Sequence, residues 1–144
     1  MGMYSDADQG FKWYFKAASK GLVFSENRVG LHYQYGQGVT QSLDSALYWF
    51  KKAADKGSGL AEYNIGMLFS RSVSPPDPPE AFSWFYKSAQ HNDRSGEYLL
   101  GWCYYSGSGT GINKDEGIKW MRKAAKDGNY DAKKMLNYLK ITYE

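Results

Sequence analysis

One segment recurs four times along this chain, and the spacing of its copies constrains the fold more than any other feature. Each copy has a tryptophan, a lysine three residues later and an alanine two residues after that. The tryptophans are Trp13, Trp49, Trp84 and Trp120, so the steps between them are 36, 35 and 36 residues. A fixed period of roughly 20 to 50 residues is the signature of stacked repeats. The sequence therefore predicts one domain, residues 1–144, built from repeated units.

The segments around the tryptophans are flanked by residues that typically begin and end helices. Residues that favour the N-cap stand seven positions before each tryptophan, namely Asp6, Ser42, Asp77 and Asn113. Residues that favour a left-handed C-cap follow each copy, namely Gly21, Gly57, Asn92 and Gly128. These signals predict four helices, called the tryptophan helices below, near residues 7–20, 43–56, 78–91 and 114–127. The recurring stripe of small residues and tryptophan predicts that all four tryptophans are core residues.

A second kind of helix, called the glycine helix below, lies between successive tryptophan helices. Its three copies carry an interior glycine at one register, Gly30, Gly66 and Gly101. An interior glycine costs a helix about 1 kcal/mol relative to alanine, so its recurrence predicts a close helix crossing. Residues 130–141 keep the apolar spacing but carry Asn137 in place of the glycine, which predicts a solvated capping helix. The predicted architecture is all-α, with a half repeat at 7–21, complete repeats at 24–57, 60–92 and 95–128, and the terminal helix.

Composition argues against a membrane-spanning protein, a secreted protein and a disulfide-stabilised protein. The chain has no run of about 18 apolar residues, and Met1–Asp6 lacks the basic and apolar parts of a signal peptide. The sequence thus predicts no membrane span and a cytoplasmic location. Cys103 is the only cysteine, which excludes an internal disulfide framework. The unusual feature is an aromatic content of 17% with 13 tyrosines, which must either fill a core or line a binding surface.

No motif indicates a catalytic site, a metal site or a phosphate-binding site. Gly107–Gly111 is glycine-rich, but it lacks the preceding strand and the terminal Gly-Lys-Ser/Thr of a phosphate-binding loop. His32, His91 and Cys103 lie on different repeats without metal-ligand spacing. No pair of carboxylates suits acid–base catalysis, and the lysine-rich residues 119–134 favour a solvated face over a nucleic-acid contact. The sequence predicts no catalytic residue, no metal and no cofactor, and hence a protein that is not an enzyme.

The repeat resembles a known family. The pattern Leu-Gly-x-x-Tyr, then Gly-x-Gly, then Ala-x-x-Trp-x-x-Lys-Ala-Ala-x-x-Gly is similar to the Sel-one-like repeat, a relative of the tetratricopeptide repeat. In the first repeat the pattern is carried by Gly30, Tyr33, Gly36, Gly38, Ala46, Trp49, Lys52 and Gly57. The middle repeat departs from it at Phe69, Ser72, Ser74 and Ser88. The resemblance implies antiparallel helix pairs stacked into a right-handed superhelical solenoid that binds proteins, often as an adaptor or scaffold.

The same resemblance implies a binding groove. By analogy with tetratricopeptide repeats, the positions three before the helix glycine and one, four and five after it face the inside of the superhelix. The candidate groove residues are Asn27, Leu31, Gln34, Tyr35, Tyr63, Met67, Arg71, Tyr98, Trp102 and Tyr105, with Ser70 and Ser106 at the same registers. An exposed apolar strip of this kind marks an interaction site, and Trp, Tyr and Arg are enriched at binding hot spots. A purely structural alternative is that Tyr63 and Tyr98 pack against neighbouring helices.

The sequence therefore predicts a monomeric, non-enzymatic module that takes up a peptide or protein element in this groove. An adaptor, a scaffold and an inhibitor of the immunity type are all compatible with that prediction. The alternative is a glycan or a nucleic acid stacked on the groove aromatics, with nucleic acid disfavoured by a net charge of only +3. The proline-rich loop 75–79 is an alternative surface of the same chain that could contact the partner in place of the groove.

Overall fold

The computed structural model describes residues 6–143, and this part of the chain is helical with no strand. The helices are α1 (Asp6–Ala18), α2 (Val23–Tyr35), α3 (Leu43–Ala54), α4 (Gly59–Met67), α5 (Pro78–Gln90), α6 (Arg94–Ser106), α7 (Lys114–Lys126) and α8 (Tyr130–Tyr138). The tryptophan helices are α1, α3, α5 and α7, and the glycine helices are α2, α4 and α6. Each helix packs against the next one along the chain. The predicted all-α repeat fold is confirmed.

The predicted caps determine where the helices begin and end. Ser42, Asp77 and Asn113 each accept a hydrogen bond from the backbone N–H three residues later, at 3.1 Å in every case. Asp6 is itself the first described residue of α1, and the residues before it lie outside the described part of the chain. The four predicted C-terminal residues all have positive φ, namely Gly21, Gly57, Asn92 and Gly128.

The glutamates at the third position of α5 and α7 make a contact that the sequence did not reveal. The side chains of Glu80 and Glu116 stand three residues after a cap, where a capping box would return a bond to the cap. Instead they accept the indole N–H of Trp84 and Trp120, at 3.0 and 3.1 Å. The N–H of each cap bonds to a carbonyl of the preceding glycine-helix segment instead, as from Asp77 to Phe69. The caps thus connect adjacent helices.

The prediction that all four tryptophans are core residues is confirmed for Trp49, holds in part for the half-buried Trp84 and Trp120, and is wrong for Trp13. Trp49 is 8% exposed, whereas Trp13 is 72% exposed. The Trp49 ring packs edge-on against Phe15 of α1, with ring centroids 5.5 Å apart. No described helix precedes α1, so Trp13 has no equivalent neighbour. The residues that follow Trp49, Trp84 and Trp120 are buried in the core, namely Phe50, Phe85 and Met121.

We expect the backbone amides of α1 to exchange with deuterated solvent faster than those of α3. Each repeat buries its apolar face only against its neighbours, and α1 has a neighbour on one side alone within the described residues. Hydrogen–deuterium exchange followed by mass spectrometry measures both helices in one experiment. Equal protection of the two helices would contradict this account of the N-terminal end.

The helix glycines lie at the close crossings that the sequence predicts. A Cβ atom at Gly66 would lie 2.5 Å from Cε1 of Phe85, and one at Gly30 would lie 2.4 Å from Cε1 of Phe50. Both phenylalanines are buried in the core. The glycine is therefore required because the ring of the next tryptophan helix occupies the space of a side chain.

Gly66→Ala is expected to lower the free energy of unfolding by about 1 to 3 kcal/mol, the usual cost of overpacking a dense core. Gly10→Ala is the matched control, because a Cβ at Gly10 would meet only His32, at 3.9 Å. There the gain in helix propensity leaves stability unchanged or raises it by up to about 1 kcal/mol. Urea denaturation followed by circular dichroism compares the two variants. Equal stability of both variants would show that the crossing tolerates a side chain.

The middle repeat ends its glycine helix differently. Helices α2 and α6 end at Gly36 and Gly107, which adopt the left-handed conformation with φ of 64° and 77°. Ser72 stands at this position in the middle repeat, and a side chain disfavours that conformation. Helix α4 instead continues as a π-helical turn over Leu68–Ser72, which carries Arg71. Such turns are rare and occur often at functional sites.

Candidate functional site: the interhelical groove

Three cavities follow one another along one face of the stack. The first, of about 240 Å³, lies between α2 and α4, and the second, of about 340 Å³, lies between α4 and α6 beside the start of α8. The third, of about 380 Å³, lies between α6 and α8. Tyr63, Met67 and Arg71 line both the first and the second cavity, while Tyr98 and Asp131 line both the second and the third. Because neighbouring cavities share walls, we treat them as one feature, the groove.

Most candidate residues from the sequence line this groove. Those that do so are Leu31, Gln34, Tyr35, Tyr63, Met67, Arg71 and Tyr98. Trp102 and Tyr105 lie outside its lining and stack on each other, with ring centroids 6.4 Å apart and an interplanar angle of 23°. Lys114 stands 5.3 Å from the centroid of the Tyr105 ring. The structure thus separates the candidate aromatics into groove residues and a stacked pair elsewhere on α6.

Two candidate residues join helices and are not free to bind a partner. Asn27 is buried, donates to Ser58 Oγ at 3.0 Å and accepts from Asn64 Nδ2 at 3.3 Å. Gln34 is also buried, although its side chain lines the first cavity, and its Nε2 donates to Ser72 Oγ at 3.4 Å. Buried polar groups need partners of this kind, so both side chains serve the packing of α2 on the middle repeat.

Helix α8 supplies a wall of the groove that the sequence reasoning assigned to a solvated cap. Asp131, Lys134, Met135 and Tyr138 line the third cavity. The signal was present in the repeat register, because Asn137 replaces the helix glycine. The positions three before and one after Asn137 are Lys134 and Tyr138, so the rule used for the other repeats identifies both residues.

The two central tyrosines combine packing with exposure to the groove. Tyr63 lies 6.3 Å from the ring of Phe85, and Tyr98 packs beside the cluster around Met121. Burial raises the pKa of both phenol groups, and the positive charge of Arg71 opposes that rise at Tyr63. The hydroxyl groups therefore stay protonated at neutral pH and are available as hydrogen-bond donors. Tyr63 and Tyr98 therefore pack partly against neighbouring helices, as the structural alternative proposes, and they also line the groove.

Three buried glutamates form a recurring interaction that is not among the features predicted from the sequence. Glu26, Glu62 and Glu97 occupy one position in the first turn of the glycine helices. Glu26 pairs with Lys56 at 2.5 Å, and Glu62 lies 2.7 Å from Nδ1 of His91. The partners stand at the end of the next tryptophan helix, so each pair fixes one helix to the next. The recurrence of glutamate at one register was the available signal.

The third pair also occupies part of the C-terminal basic cluster. Lys123 bonds to Glu97 and lies 3.0 Å from Asp127. Burial raises the pKa of Glu97 although its bond to Lys123 opposes the rise. Arg122 donates from Nε to the carbonyl of Thr142 at 2.9 Å. Lys123 and Arg122 are thus engaged within the chain, whereas Lys126 and Lys134 of the cluster are exposed.

The cysteine and the histidine that could have acted as a nucleophile or as metal ligands are engaged in the fold instead. Cys103 is buried, and burial raises the pKa of its thiol to about 11, so it is protonated at neutral pH and is a poor nucleophile. His32 Nδ1 lies 2.7 Å from the carbonyl oxygen of Gln37. Across residues 6–143, no group of three or more His, Cys, Asp and Glu side chains is arranged to hold a metal ion. Within the same residues, no helix has the length and apolar character needed to cross a membrane.

Comparison with known proteins gives the family. The family model described as Sel1 repeat matches residues 2–22, 23–58, 59–93 and 94–129. The chain belongs to the Sel1 repeat family. Sel1 repeats generally serve as protein-interaction modules. A comparison with curated proteins gave no match.

Solved structures of Sel1 repeat proteins have the same fold. A Sel1 repeat protein from Oxalobacter formigenes is 30% identical with a TM-score of 0.81, over 91% of this chain and 54% of that one. A protective antigen of uropathogenic Escherichia coli with an SLR fold is 32% identical with a TM-score of 0.82, over 93% of this chain and 29% of that one. The cysteine rich protein B of Helicobacter pylori is 22% identical with a TM-score of 0.72, over 94% and 98% of the two chains, and supports the fold alone. The chain thus spans about half or less of the first two Sel1 repeat proteins.

Proposed function

We propose that this Sel1 repeat chain binds another protein by taking up a peptide or an extended segment in the groove. The observation that carries the proposal is the line of three adjoining cavities, whose shared walls are Tyr63, Met67, Arg71, Tyr98 and Asp131. A groove that continues across α2, α4, α6 and α8 matches the length of an extended segment better than that of a small ligand. Adaptor, scaffold and inhibitor roles all use such a surface.

A glycan or a nucleic acid is the second candidate, and the groove supports it less well. Stacking needs free aromatic faces, whereas Tyr63 and Tyr98 pack partly against the core. Nucleic acid also needs free cations, and Lys123 and Arg122 are engaged within the chain. The stacked pair of the exposed Trp102 and the half-buried Tyr105 is the surface that a sugar or base would use. Binding that falls steeply with salt would favour nucleic acid, because phosphate contacts release counterions.

The test compares two variants of the immobilised protein in capture from native lysate, with bound proteins identified by mass spectrometry. One variant carries Met67→Ala in the groove. The other replaces Pro75 and Pro76 with glycine, which alters the rival proline contact ahead of α5 and keeps Asp77, the N-cap of that helix. The groove variant is expected to lose the captured protein, and the loop variant is expected to keep it. Loss with the loop variant alone would make the loop the contact and the groove proposal wrong.

We also propose that the chain is a monomer, because four helices of one chain supply all the walls of the groove. Light scattering coupled to size-exclusion chromatography should give a mass near 16.3 kDa. A dimer that dissociates when the groove is mutated would contradict this, since it would make a second copy the occupant.

A further inference from the structure

We infer that the middle of the groove recognises a dipolar peptide segment, with an acidic side chain bound at Arg71 and a basic side chain bound at Asp131. This inference rests on the proposed function and specifies the chemistry of the partner. It predicts the sign of the charge that the segment places at each of these two residues.

Arg71 is a cation without a partner in the described part of the chain. Its side chain lines the first two cavities, and none of the ion pairs or hydrogen bonds formed among residues 6–143 involves it. By contrast, Lys56 and Lys123, at the ends of tryptophan helices, are both paired with buried glutamates. The planar fork of a guanidinium matches a carboxylate with two parallel hydrogen bonds. An unpaired arginine in the shared wall of two cavities therefore fits an acidic side chain of a bound segment.

Asp131 is the complementary anion. It lies in the first turn of α8 and lines the second and third cavities, and no cation of the described residues lies within ion-pair distance of it. Lys134, one turn further along α8, lines the third cavity and is likewise not paired with it. The carboxylate of Asp131 thus remains available to the cation of a partner.

The two charges face one cavity from different helices. Arg71 belongs to the π-helical turn after α4 and Asp131 belongs to α8, yet both line the cavity of about 340 Å³. They do not form an ion pair with each other, so each is left for a ligand. Met67, Tyr98 and Leu99 supply apolar and aromatic surface between them. A carboxylate in the same cavity also disfavours a polyanion, so a peptide with both charges fits better than a nucleic acid or a multiply phosphorylated segment.

The test is a selection of random 12-residue peptides displayed on phage against the unaltered protein and three charge variants. The variants are Arg71→Glu, Asp131→Lys and the double variant, each checked for helical content by circular dichroism. Peptides enriched on the unaltered protein are expected to pair an acidic with a basic residue. Arg71→Glu should replace the acidic preference with Lys or Arg, and Asp131→Lys should replace the basic preference with Asp or Glu. The double variant should select the reversed order of charges.

One enriched peptide, labelled with fluorescein, then gives affinities by fluorescence anisotropy. Arg71→Gln is expected to weaken its binding about tenfold, the usual effect of losing a charge-assisted hydrogen bond. Peptides that lose binding with Met67→Ala but keep the same charge preference in Arg71→Glu would overturn the dipolar inference and leave the groove as the site. An absence of enrichment, or enrichment indifferent to Met67→Ala, would overturn the proposed function and the inference with it.

Discussion

Trp49→Ala is expected to lower the free energy of unfolding by about 3 to 5 kcal/mol, whereas Trp13→Ala should lower it by less than about 1 kcal/mol. The two residues occupy the same register of the same helix motif, so local sequence does not distinguish them. Their surroundings do, because Trp49 is buried against Phe15 while Trp13 is 72% exposed. Urea denaturation followed by circular dichroism provides the comparison, with midpoints read for both variants under one set of conditions.

Similar losses for the two variants would contradict the structure in one of two ways. A large loss for both would mean that Trp13 is covered by something beyond the described residues. A small loss for both would mean that the tryptophan register does not stabilise the stack. Because stacked repeats can unfold in steps, each transition should be fitted separately before the variants are compared.

Tyr98→Ala should weaken binding of the captured protein by about thirtyfold, equivalent to the roughly 2 kcal/mol that a single hot-spot side chain contributes. Tyr98 lines both the second and the third cavity, so its loss affects the middle of the groove. Tyr86→Ala is the matched control, since Tyr86 lies on α5 in a cavity that shares no residue with the groove. Titration calorimetry with the purified partner measures both variants.

Because Tyr98 also packs on the core, the fold of each variant must be verified by circular dichroism before its affinity is interpreted. Tyr98→Phe keeps the ring and removes only the hydroxyl, so it separates the contribution of the hydroxyl group to binding from that of the packing. Comparable losses for Tyr98→Ala and Tyr86→Ala would contradict the assignment of binding to the groove.

The sequence predicted the features that depend on local chemistry. The caps at Ser42, Asp77 and Asn113, and the left-handed residues that end the tryptophan helices, follow from the conformations those residue types prefer. The close crossings at Gly30 and Gly66 were predictable because a glycine that lowers helix stability recurs at the same position of each repeat.

Features that depend on a neighbouring element were harder to predict. Helical periodicity identifies the face on which Trp13 lies but not whether another helix covers that face. For the same reason helical periodicity does not predict the burial of Glu26 and Glu97. Their partners come from different registers, because Lys56 lies seven residues after a tryptophan and Lys123 lies three residues after one. Whether a carboxylate is solvated or buried depends on the cation that the next helix places beside it.

The groove was predictable in part. The register rule identifies groove-lining side chains of α2 and α4, Arg71 and Tyr98, and in α8 it gives Lys134 and Tyr138, which the prediction of a solvated cap left out. It also could not show that Asn27 bonds to Ser58 and Asn64, because that bond depends on the exact distance between repeats. The substitution of Ser72 for glycine indicated an altered helix end, but not the π-helical turn that carries Arg71.

Photo-crosslinking of the captured partner tests most directly whether the groove is the binding surface. The photoreactive residue p-benzoylphenylalanine replaces one exposed tyrosine at a time, with Tyr35 and Tyr138 in the groove and Tyr48 and Tyr86 on tryptophan helices away from it. All four positions are exposed, so the substitutions are equally tolerable to the fold. The account predicts crosslinks to the partner from Tyr35 and Tyr138 and none from Tyr48 and Tyr86. Crosslinks from Tyr48 or Tyr86 alone would contradict it.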